Sequence, residues 1–243
     1  MGNILFLVIP AYNEEENIRQ VIEDWYPVVE KHGGGGRSRL VIVDDGSRDR
    51  TYQIINECAK TRPLLMPLTK KNEGHGAALL YGYHYALKHG ADYIFQTDSD
   101  GQTIPEEFAQ FWKLRRRYDM VIGCRHRRQD GFSRIIVTRM LRLMIRICFG
   151  IHTADANTPF RLMKAESLKE DIQYVPKKYN LSNVAISVIY AKKQRKVRYL
   201  PITFRERQGG VNSIDLKKIA KIGVRAVADF RRINRMLKCR LDL

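Results

Sequence analysis

Two carboxylates, Asp98 and Asp100, stand two residues apart at the end of the apolar run Tyr93–Thr97. In extended backbone, positions i and i+2 point to the same side. Both can then reach one hard cation, or one can bind while the other orients. A Mg²⁺ ion takes one or two protein carboxylates and completes its shell with water and substrate phosphates; an ordinary acidic turn is the alternative. Asp44-Asp45-Gly46-Ser47 follows the apolar run Leu40–Val43 in the same way. An Asp there can accept from a ribose hydroxyl or a base N–H, or simply build a turn. Pro10-Ala11-Tyr12-Asn13-Glu14 ends the run Ile4–Ile9. Tyr12 can flank a nucleobase and Glu14 can bond it, or the segment is a strand exit with Asn13 as the helix cap. Asn72-Glu73-Gly74-His75-Gly76 opens a helix with two glycines, whose N–H groups can face a phosphate. The dinucleotide fingerprint GxGxxG is absent. His75 and His84 lack metal-ligand spacing and are read as non-ligands.

These segments need a scaffold that gathers strand ends. The continuous apolar run at 4–9 reads as a buried parallel strand, 40–43 as a second, and 93–97 and 120–123 as further strands, with a short one near 64–69. Helical spacing covers about 14–31, 49–60 and 72–89. Strands alternating with helices predict right-handed βαβ units and a mostly parallel α/β sheet. Ligands in such sheets sit at the carboxyl ends of the strands, where Pro10–Glu14, Asp44–Ser47, Asp98–Gln102 and Gly123–Arg125 fall. The second half is less regular, and no linker separates another domain.

Taken in order, VIPAYNEEENI, VIVDDGSRDRT, NEGHGAALLYG, QTDSDGQTIPEEF, VIGCRHRRQDG, DANTPFRLM and FRERQGGVNS resemble the family-two inverting glycosyltransferases of the GT-A fold, over about Ile4–Ser213. DSDGQ followed by Pro105 is most similar to the dolichol-phosphate mannose synthase and polyprenyl-phosphate glycosyltransferase branch. The resemblance implies a GT-A type fold with a mostly parallel central sheet, helices on both faces, and basic amphipathic helices in the second half. The expected boundaries are 1–213 for the GT-A domain and 214–243 for a basic amphipathic helical extension. Pro10, Tyr12, Glu14 and Asp44 would hold the nucleoside. Asp98, Asp100 and Gln102 would surround a Mg²⁺ or Mn²⁺ ion and the diphosphate. Arg125, Asp155, Arg161 and Arg207 would line the sugar and acceptor-phosphate side. In one departure, Asn212 and Ser213 stand where the branch carries the Ser and Lys of GxSK.

The implied reaction is transfer of a sugar from a nucleotide-sugar to a polyprenyl phosphate, with inversion. A lipid phosphate is already anionic and needs little help from a base. A saccharide or other non-lipid acceptor, the alternative, requires a general base, for which Asp155 and Asp98 are the candidates.

Charge points the same way. Lys plus Arg number 43 against 26 Asp plus Glu, a formal net charge of +17, which suits a polyanionic partner. In Ser133–Phe149, Arg139, Arg142 and Arg146 fall on one helical face, with apolar residues over much of the rest. Asp215–Lys238 repeats the theme. Each reads as a helix for an anionic membrane surface or as a packed helix with a solvated stripe. No run reaches the roughly 18 apolar residues of a membrane span, and the N-terminus lacks a signal-peptide pattern. The four cysteines show no CxxC spacing and fit a reducing compartment. The expected location is cytoplasmic, peripheral on the inner face of the membrane. A nucleic-acid-binding protein would rest on charge alone; no recognisable motif supports it, and no nucleic acid is expected as a partner.

Overall fold

The computed structural model describes residues 3–125, 132–151, 155–176, 179–205 and 229–237. The expected α/β architecture is present. Strands β1 (Leu5–Ala11), β2 (Arg39–Asp44), β3 (Leu65–Thr69), β4 (Tyr93–Gln96), β5 (Met120–Arg125), β6 (Arg161–Lys164) and β7 (Val197–Ile202) form one sheet in the order β3-β2-β1-β4-β6-β5-β7. Only β6 runs against the rest, pairing antiparallel with both β4 and β5. Helices α1 (Ile18–Lys31), α2 (Thr51–Ala59), α3 (His75–Lys88), α4 (Phe108–Leu114), α5 (Phe132–Phe149), α6 (Ala165–Asp171) and α7 (Ser182–Lys192) complete the described elements, with a further helical stretch at 229–237.

β1 is apolar throughout because both its faces are covered. Leu5, Leu7 and Ile9 pack with Ile18, Ile22 and Trp25 of α1 and with Phe108 and Phe111 of α4. Phe6 and Val8 point the other way, toward Leu79 and Tyr83 of α3 and Val184 and Val188 of α7. The period of two along the strand thus divides the core into two layers.

One local expectation is corrected, and three elements of the second half had not been anticipated. Asn13 does not cap α1, which starts only at Ile18 after Asn17. Asn13 sits at φ +54°, its Oδ1 accepts from the Arg48 amide and its own amide donates to Ser47 Oγ. It therefore ties the β1 exit to the β2 exit. The last two strands carried no clear sequence signal: β6 has four residues, and the edge strand β7 contains Arg198 and Pro201, which break an apolar run. α7 is also irregular as a pattern, because Ser182 through Tyr190 are all buried and a helix covered all round has no polar face. The expected boundary at 213/214 and most of the expected helix Asp215–Lys238 lie outside the described residues; 229–237 is helical.

Candidate active site

The strand order reverses between β1 and β4, which puts a crevice at their carboxyl ends. A cavity of about 330 Å³ opens there. Pro10 and Ala11 line it from the end of β1 and Tyr12 and Glu14 from the loop after it, Asp45 from the loop after β2, Asn72, Gly74 and His75 from the entry to α3, and Ser99 from the bend after β4. A larger hollow of about 910 Å³ lies at the opposite end of the sheet, between Asn3, Asp92 and Lys164, away from every strand-end motif. Size does not choose between the two; the convergence of polar strand ends does.

Tyr12 is 42 % exposed and presents its ring to the cavity rim. Glu14 is fixed from below, its amide donating to Thr51 Oγ1 and its Oε2 accepting from Asn17 Nδ2. The two neighbouring aspartates of β2 take different parts. Asp44 is buried, and its oxygens accept from the Ser47 amide and from Thr69 Oγ1. It braces the β2 turn and is not among the cavity-lining residues. Asp45 lines the cavity. It accepts from Lys70 Nζ at 2.9 Å and from the amides of Glu73 and Gly74 at 3.1 and 2.8 Å, so it clamps the β3–α3 loop along the cavity wall. Burial alone would lower the pKa of Lys70, but its hydrogen bonds to Asp45 and Glu73 outweigh that and raise it, so Lys70 stays charged at neutral pH. Gly46, at φ +69°, lets the loop lie close: a Cβ there would stand 2.8 Å from the Asn72 amide nitrogen.

β4 ends at Gln96, and the chain bends through Ser99–Gly101. The extended-backbone argument for Asp98 and Asp100 therefore does not hold; a bend presents them instead. Ser99 is buried between them. Asp98 Oδ1 lies 3.7 Å from His75 Nε2 at the N-terminus of α3. Asp100 Oδ1 accepts from the Gln102 amide, and Gln102 Nε2 donates to the Arg205 carbonyl. Among the described residues no cluster of three or more His, Cys, Asp or Glu could enclose a metal by itself. Two hard carboxylates beside an open cavity do fit an ion that takes its remaining ligands from water and a diphosphate.

Arg161 departs from its expected place on the sugar side. It is wholly buried, donating to the carbonyls of Ala156, Thr158 and Asn183 and to Ser187 Oγ. Burial lowers its pKa, opposed by Tyr83, Asp155, Tyr199 and Asp98, so its charge is felt by two of the candidate carboxylates. Asp155 is half-buried and accepts from the Asn157 amide. Arg125 is the last residue of β5. Its side chain, and Arg207 altogether, lie outside the described residues. The structure brings Pro10, Tyr12 and Glu14 to one cavity, with Asp98, Asp100 and Gln102 on the adjoining bend. The sequence reading marked the segments that hold Asp45, Asn72 and His75 but did not assign these side chains to the wall. Their signal was the glycine spacing around them, which marks backbone approach and not which side chains face inward.

A model of glycosyl transferase family 2 matches residues 6–172. The chain is 27 % identical over 240 residues to a polyprenol monophosphomannose synthase of Mycolicibacterium smegmatis, covering 92 % of this chain and 88 % of the relative. It is 32 % identical over 152 residues to an undecaprenyl-phosphate 4-deoxy-4-formamido-L-arabinose transferase of Pectobacterium atrosepticum, a match covering 61 % of this chain and only 45 % of that longer protein. Among solved structures, glucosyl-3-phosphoglycerate synthase from Mycobacterium tuberculosis, crystallised with Mn²⁺, UDP-glucose and phosphoglyceric acid, shares the fold. Its TM-score is 0.67 at 18 % identity, over 96 % of this chain and 80 % of that one.

Proposed function

The chain belongs to glycosyl transferase family 2, and from that premise we propose that it moves a sugar, with inversion, from a nucleotide-sugar to a polyprenyl phosphate at a membrane face. The observation that carries the donor half is the cavity beyond the ends of β1, β2 and β4, lined by Ser99, which Asp98 and Asp100 flank in the chain, and by His75, from which Asp98 lies 3.7 Å. The acceptor half draws support from relatives named for polyprenol and undecaprenyl phosphate.

In this reading Tyr12 stacks on the base, while Pro10, Glu14 and Asp45 shape its pocket; Asp44 acts through the β2 turn. The diphosphate lies toward α3 and the bend at 98–102. Asp98 and Asp100, with Gln102 beside them, would hold a Mg²⁺ or Mn²⁺ ion, which supplies Lewis-acid stabilisation of the leaving diphosphate. An acceptor phosphate oxygen attacks the anomeric carbon from the side opposite the diphosphate. The new C–O bond forms as the bond to the diphosphate breaks, and the leaving group departs as a nucleoside diphosphate. Since the attacking oxygen is already anionic, no side chain has to remove a proton. Arg125 and Arg207 are assigned to acceptor or leaving phosphate oxygens, where a guanidinium makes paired hydrogen bonds. Asp155 stands on the sugar side.

A panel of nucleotide-sugars incubated with Mn²⁺ and a short-chain polyprenyl phosphate tests this, with mass spectrometry as the readout. A single lipid-linked sugar, dependent on one donor, is expected. Donor turnover onto saccharides with no lipid product would overturn the acceptor assignment.

A further inference from the structure

Glu107 takes the cap position of α4, yet its side chain does not cap that helix. Its two carboxylate oxygens instead accept from the Thr203 amide at 3.0 and 3.1 Å, across 96 residues of chain. Thr203 is the residue after β7. β7 runs parallel to β5, and through β6 both run parallel to β4, so its carboxyl end lies on the side of the candidate active site. β6 and β5 stand between β4 and β7 in the sheet, so the chain after β4 crosses the sheet end to reach Thr203. Two further links join the same segments. The Gln102 carbonyl accepts from the Arg205 amide at 2.8 Å, and Gln102 Nε2 donates to the Arg205 carbonyl at 3.2 Å. Thr103 and Phe204 form an antiparallel bridge. Thr103 is buried, and its hydroxyl lies 2.6 Å from that of Thr97, just past the end of β4. The Gln102 amide donates to Asp100 Oδ1. Residues 102–107 thus connect the Asp98–Asp100 bend to the chain leaving β7.

We propose that Glu107 is a positioning residue for the transfer reaction: by holding the Thr203 amide it sets the chain that leaves β7 against the Asp98–Gln102 bend, and so sets the acceptor's approach to the diphosphate. Stability does not account for the contact. It lies in an exposed position, where water can serve the Thr203 amide as well and the net gain is small. The N-terminus of α4 would itself favour the carboxylate, yet the side chain turns to a distant amide. The proposal rests on the transfer reading above, in which Arg207 contacts phosphate. Arg207 follows Arg205 by two residues, a reach of at most about 7 Å, so a shift at Thr203 carries into the acceptor side. Glu107 and Thr203 are not among the residues that line the cavity, so the donor side is left as it is. Attack at a fixed angle tolerates little: misplacement by about 1 Å costs up to about 100-fold.

The test compares the wild type, Glu107→Ala and Glu107→Gln in steady-state kinetics with each substrate varied. The acceptor is polyprenyl phosphate, or the saccharide that a donor panel selects in its place, so a wrong acceptor class does not remove the measurement. Glu107→Ala is expected to lower kcat/KM for the acceptor about tenfold, with KM for the nucleotide-sugar unchanged and Tm lower by no more than about 3 °C. Glu107→Gln keeps an oxygen for the Thr203 amide and is expected to recover most of the loss. Hydrogen exchange needs no substrate: Glu107→Ala should speed exchange at the Arg205 amide about tenfold, because the neighbouring tie is gone. A lower Tm with kcat and both KM values unchanged, or an equal effect on donor and acceptor, would overturn the proposal. No transfer by the wild type would sink the reading it rests on, whereas unaltered exchange at Arg205 in Glu107→Ala would sink this proposal alone.

Discussion

Arg161 is removed from water yet surrounded by three carbonyls and a hydroxyl that accept from it. Dipoles, together with the fields of Asp155 and Asp98, replace its hydration shell. Arg161→Met removes both guanidinium donors to the Thr158 carbonyl and those to Ala156, Asn183 and Ser187, a loss of about 3 kcal/mol or more. Thermal denaturation should therefore show a Tm lower by about 10 °C; an unchanged Tm would mean that the cluster contributes nothing net. The motif around Arg161 was legible in the sequence, but its burial was not, because an arginine in a short apolar stretch reads equally well as ligand and as brace. The pair Asp44 and Asp45 shows the same limit. Asp44 ends β2 and Asp45 opens the loop after it, so sequence marks both and cannot say that Asp45 meets the cavity while Asp44 braces the turn.

Elements were legible where burial leaves a pattern. β1, β2 and β4 are apolar because helices cover both their sides, and α1 shows its buried stripe at Ile18, Val21, Ile22 and Trp25. β6 and β7 were not, being short or interrupted, and their place depends on long-range pairing. Asp119, just before β5, secures that half of the sheet. It accepts from Ser167 Oγ and the Lys196 amide and lies 3.7 Å from Lys164 Nζ. Burial would raise its pKa, but the Lys196 amide, Ser167 and the charges of Lys164 and Arg195 outweigh that and lower it. A carboxylate with a lowered folded-state pKa adds stability above its unfolded value, near pH 3.9, and that stability is lost as pH falls through the folded value. Urea midpoints measured from pH 7 downward should thus fall in acid for the wild type. Asp119→Asn should be less stable at pH 7 and show a shallower acid fall; an identical acid limb would contradict the assignment.

Across the whole molecule, the sheet collects its polar strand ends on one side, where a cavity meets the bend of Asp98–Asp100. No described helix is long and apolar enough to cross a membrane, and the chain has a formal excess charge of +17, which suits an anionic lipid substrate. The central claim is that the Asp98–Asp100 bend forms the phosphate side of the reaction. Its most direct test is the initial rate of lipid-linked sugar formation at saturating Mn²⁺, for the wild type and for Asp100→Ala. The account predicts a fall of about 100-fold or more with circular dichroism unchanged. Full activity in the variant would contradict it.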